Sequence, residues 1–144
     1  MTQELTAQTI FDTVVDHLFT QGRPAVAGNG FCAYRGANGA KCAVGILIPD
    51  DLYDPKMDNM DNADDGNGYG VSMLLNTFGL LNFLRPHTKL LWGLQDTHDE
   101  NLSGFERQTE NFDLKRLKMW LEDIARMHRL DATNLDNRAK EHAV

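Results

Sequence analysis

A thiol, an imidazole and a carboxylate are the groups in this chain best suited to act together: Cys42, His98 and Asp99. Cys42 follows a tight turn signal. A cysteine that starts a helix there has its thiolate stabilised by exposed backbone N–H groups and the dipole, which lowers its pKa. Lys41 beside it would help. His98 falls on the apolar face of a predicted helix, so it can meet the core, and Asp99 or Asp96 can orient its ring as a nucleophile–base pair requires. The competing reading makes Cys42 a small buried core residue, a common fate of free cysteine. Neither residue lies in a specific catalytic signature, so a thiol-dependent enzyme using Cys42 and His98 is the second choice here.

Other chemistry is less well supported. Cys32, Cys42, His87, His98, Asp96 and Asp99 include metal donors, yet no pair has zinc-ligand spacing within one element, and neither a metal nor a cofactor is expected. GNG at 28–30, GANG at 36–39 and GNGYG at 66–70 lack the spacing and Lys-Ser/Thr ending of a phosphate loop. Arg35 and Lys41 remain as a weak pair for a phosphate-bearing ligand, which would make the chain a small nucleotide binder, or sponge. The stretch 50–70 is rich in Asp, but a calcium loop started at Asp61 puts Ala63 and Ser72 at positions that need ligands, so the EF-hand reading fails.

Those acids suit a different role. The formal net charge is −7 and the pI near 5.1, which argues against direct binding to nucleic acid and permits an acidic surface presented to a basic protein. Two such surfaces can be drawn. One takes Asp54, Asp58, Asp61, Asp64 and Asp65; the other takes Asp99, Glu100 and Glu106. Rows of carboxylates can imitate phosphate spacing and compete for a basic groove. Tyr53, Tyr69 and Trp92 are candidate interface anchors if exposed. His17 and His128 read as half-buried helix residues without a role.

The elements that position these groups follow from periodicity. At 144 residues the chain reads as a single globular domain over 1–130 with a polar, frayed tail at 131–144. Ile10, Phe11, Val14, Val15 and Leu18 line one face of a helix over 6–21, stopped by Gly22 and Pro24. Phe31 to Ile48 reads as a β-hairpin turning at Asn38-Gly39, because both turn residues accept positive φ. Its second arm, from Cys42, can also be read as a short buried helix. Short helices follow over 71–78 and from Pro86 to about His98, and a strong one over 113–130, capped by Asn111 or Asp113. The fold expected is α+β: mostly helical, with a central hairpin over 31–48 packed between the first and last helices.

No stretch resembles a signal peptide or a membrane span, and two cysteines not placed opposite each other read as free thiols, so a cytoplasmic location is expected.

The residues CAYRGANGAKCAVGILIPDDLYDPKM at 32–57 and LQDTHD at 94–99 also carry a resemblance. The chain resembles a family of small uncharacterised proteins of bacteria and phages. These share a C-x-Y-R-G-x-x-G-x-K-C-A-[IV]-G-x-L-I-P-D-x-x-Y-x-P core and a later L-Q-x-x-H-D. Relatives often carry a further cysteine after the glycine at 45, where this chain has Ile46. The resemblance implies the architecture and a phage or mobile-element setting, hence the cytoplasm of a host cell. In that setting the leading expectation is a phage-type accessory protein that inhibits a basic host protein, such as a CRISPR effector or another nucleic-acid-binding defence component.

Overall fold

The computed structural model describes residues 5–26, 33–58, 70–100 and 111–144. Among them are five α-helices: α1 (Ala7–Gln21), α2 (Val71–Thr77), α3 (Thr88–Glu100), α4 (Leu114–His128) and α5 (Thr133–Glu141). α1 is the spine. Its Ile10, Phe11, Val14, Val15 and Leu18 are fully buried, and it packs against α3, α4 and α5 as well as the turn at Gly45–Leu47. Thr6 caps its start, its hydroxyl accepting from the Thr9 N–H, and Gly22 closes its end at φ 70°, donating to the Leu18 carbonyl. α4 begins where Asp113 accepts from the Arg116 N–H, and buries Leu117, Leu121, Ile124 and Ala125.

The α+β expectation is overturned: the described residues form no β-strand. Only isolated bridges remain, such as Arg35 opposite Lys41. The turn itself lies where the Asn-Gly signal placed it, with Asn38 at φ 58° and Gly39 at φ 77°. Beyond it the second arm does not extend. It coils into a 3₁₀ turn at Gly45–Leu47, and a second 3₁₀ turn follows at Pro55–Asp58.

The reason is that side chains from neighbouring elements take the backbone groups that a ladder would have used. Gln21 clasps Lys41, accepting from its N–H at 2.9 Å and donating to its carbonyl at 3.0 Å. His17 meets the same carbonyl at 2.6 Å. Gln95 accepts from the Val44 N–H at 3.1 Å. The carboxylate of Asp58 accepts from the N–H groups of Tyr34 and Arg35 at 2.8 and 3.0 Å. A connected hub at 33–58 results, hydrogen-bonded without a sheet.

The segment expected to fray is helical. α5 buries Leu135 and Ala139 and is held to α1 by Asn134 on Asp16 at 2.8 Å and by Gln8, which brackets the Asp131 backbone. The region from Gly79 to His87 winds as 3₁₀ with Pro86 inside it, so α3 starts at Thr88, two residues later than a proline-first helix would.

Candidate functional site

The conserved-looking chemistry of the sequence converges on the hub, in two clusters. The inner one contains Cys42, Gln95, His98 and Asp99. α3 carries the last three on successive turns, which brings Gln95 and Asp99 within reach of each other. Gln95 donates to Asp99 Oδ1 at 3.0 Å, and His98 Nδ1 lies 2.8 Å from the same oxygen. His98 Nε2 accepts from the Ala25 N–H at 2.9 Å. That bond needs a lone pair on Nε2, so the ring is the neutral tautomer with its proton on Nδ1, donated to Asp99. Phe112 packs edge-on against the ring at 5.7 Å.

His98 is fully buried and both of its nitrogens are engaged, so no nitrogen is left for a thiol. Cys42 is likewise fully buried, with Gly45 N–H donating to Sγ at 3.2 Å. Burial pushes the Cys42 thiol well up, and the opposing hydrogen bond from Gly45 does not offset it. The thiolate-lowering helix start expected at Cys42 is a turn of three residues. It is too short for a macrodipole to compete with desolvation. Cys42, His98 and Asp99 thus share a neighbourhood without forming a nucleophile–base pair.

The outer cluster contains Arg35, Lys41, Asp50, Tyr53 and Asp58. Arg35 donates to the carbonyls of Gly45 at 2.6 Å and Ile48 at 2.8 Å, so it caps the end of the 3₁₀ turn. It also reaches Asp50 at 3.0 Å and stacks over the Tyr53 ring at 4.9 Å. Lys41 meets the same Asp50 at 3.3 Å. The pair proposed for a phosphate therefore converges on one carboxylate of the chain, and Arg35 is mostly buried in that task.

The expected partner-binding acids divide. Asp58 faces inward: besides Tyr34 and Arg35 it accepts from the Tyr53 hydroxyl at 2.6 Å. Asp54 is half-buried and caps the next turn through the Lys56 N–H at 2.9 Å. Asp99 is half-buried in the inner cluster, and Glu100 is exposed at the end of α3. Asp61, Asp64, Asp65 and Glu106 lie outside the described residues, as do Cys32 and Tyr69. Asp50 and Asp51, which the sequence reading left aside, are exposed. So is Asp96, whose carboxyl is raised by partial burial and by Asp99 and Glu100.

Sequence reasoning missed the clasp residues His17, Gln21 and Gln95. Their only signal was position: a Gln ending α1, and a His one turn before it, on the side facing the hub. Among the described residues, no group of three or more His, Cys, Asp or Glu side chains could hold a metal ion, and no helix is long and apolar enough to cross a membrane.

The fold and site together define a small helical protein whose motif residues hold a loop hub. No family model, curated protein or solved structure matches the chain.

Proposed function

We propose that the chain is a phage-type accessory protein that acts by binding a basic host protein, a nucleic-acid-binding defence component such as a CRISPR effector, and blocking it. The observation that carries this reading is the condition of the inner cluster. The residues best suited to catalysis, Cys42 and His98, are both fully buried, and the imidazole is held between Ala25 and Asp99. A covalent mechanism needs a thiolate that a substrate can reach, and this thiol is pushed towards its neutral form by burial. The motif residues then serve as scaffold, and the surface carries the effect. That surface is acidic in a chain of net charge −7. Asp50 and Asp51 beside the hub, and Asp96 and Glu100 on α3, are exposed carboxylates of the kind that occupy a phosphate-binding groove.

The test is a four-site neutralisation, Asp51→Asn with Asp61→Asn, Asp64→Asn and Asp65→Asn, which leaves the inward-facing Asp58 intact. Wild-type protein should retain a basic nucleic-acid-binding protein from host lysate and release it when DNA is added. The neutralised variant should lose that retention at an unchanged melting temperature. Equal retention by both proteins would sink the reading.

A further inference from the structure

Both tryptophans of the chain stand exposed on neighbouring helices, while the core is filled by aliphatic side chains and phenylalanine. Trp92 on α3 is 51% exposed and Trp120 on α4 is 36% exposed. Met119 at 62% and Met127 at 74% flank Trp120 on α4. Tryptophan and methionine at such exposure are the residues most often buried by association.

The two helices run antiparallel. A Cβ on Gly93 would touch Ile124 at 3.4 Å, and Arg116 reaches the Glu100 carbonyl at 3.4 Å, so the end of α3 lies at the level of the start of α4. Glycine at 93 lets the helices approach closely there. Charge is divided between them. The C-terminal half of α3 exposes Asp96 and Glu100; α4 exposes Lys115, Arg116, Arg126 and, at its cap, Arg129, with Asp123 paired to Arg126. α4 is thus a cationic face on a chain of net charge −7.

We infer that the α3–α4 face is an interface with a second copy of this chain, closed by a two-fold axis running parallel to the helices. Such an axis lays α3 of one protomer on α4 of its partner and keeps their level. Glu100 then meets the partner's Arg116 and Asp96 lies beside the partner's Trp120, and each contact occurs twice. The acidic and basic halves complement each other only in this crossed arrangement. The exposed tryptophans and methionines fill the centre.

Sedimentation velocity tests it. The wild-type protein should pass from monomer to dimer as its concentration rises from about 1 to about 100 µM. Met119→Glu, at an exposed position, should weaken the dimer ~10-fold or more while leaving the monomer's melting temperature unchanged. Glu100→Arg alone should also weaken it, and adding Arg116→Glu should restore it. A monomer throughout that range overturns the inference. So does a dimer indifferent to Met119→Glu, or a charge swap that fails to rescue.

Discussion

The ring of His98 accepts a hydrogen bond from the backbone of Ala25, 73 residues earlier in the chain, at 2.9 Å. Through Asp99 the same ring is tied to Gln95, and Gln95 holds the N–H of Val44. One motif on α3 therefore anchors two separate loop segments. His98→Ala should cost about 1–3 kcal/mol from the unpaired Ala25 N–H, plus a cavity beside Phe112. Urea denaturation measures it. A loss below the precision of such a measurement would show that the ring is not an anchor.

Asp58 makes a comparable tie at the outer edge. Asp58→Asn would set an amide NH₂ against the N–H groups of Tyr34 and Arg35 or forfeit the Tyr53 bond, so a loss of about 1–3 kcal/mol is expected. Tyr53→Phe removes one bond and part of the contact geometry with Arg35, and should cost less, about 0.5–1.5 kcal/mol. Matched chemical denaturation curves order the two. The reverse order would place the main anchor on the tyrosine.

Gly45 sits where no side chain fits. A Cβ there would lie 2.2 Å from the Tyr34 carbonyl oxygen, a backbone atom that cannot swing aside. Gly36 is similar, at 2.6 Å from the Val26 nitrogen. Gly45→Ala and Gly36→Ala should each destabilise by about 1–3 kcal/mol or more, whereas Gly79→Ala, with open space around it, should be near neutral. Thermal melts of the three variants decide this.

His17 sets a pH dependence. Burial lowers its pKa from 6.5 and the Lys41 carbonyl partly opposes that shift. The folded state therefore binds the proton less readily than the unfolded chain, and stability is lost as pH falls below about 6.5. His17→Gln keeps a donor for the Lys41 carbonyl without the titration. Between pH 7 and 5 its stability should fall less than that of the wild type, as measured by urea midpoints across the pH range. Parallel curves would remove His17 from the account.

Cys42 should resist alkylation in the folded protein. In a Cys32→Ser background, iodoacetamide should modify the remaining thiol only at the rate of opening, and urea should accelerate the reaction. Cys42→Ala should likewise leave partner retention intact. Fast stoichiometric labelling under native conditions would contradict the burial.

What the chain determined by itself is its helical periodicity and its turn. Ile10 to Leu18 and Leu117 to Ile124 each line a single face, and such a stripe can be buried in one way. Asn38-Gly39 turns because both residues adopt positive φ locally. Alternation around that turn argued for strands, since nothing local reveals that a backbone N–H will be met by a side chain instead of another strand. Lys41 is met by Gln21, 20 residues away, and Val44 by Gln95, 51 residues away. Those partners exist only once α1 and α3 have packed, and so only tertiary structure decided that the hub coils. Cys42 is the same case: its neighbours in sequence favour a thiolate, while its burial among α1 and α3 raises the cost of charge. The spacing of Gln95, His98 and Asp99 was plain in the sequence; that it grips Ala25 and Val44 was not.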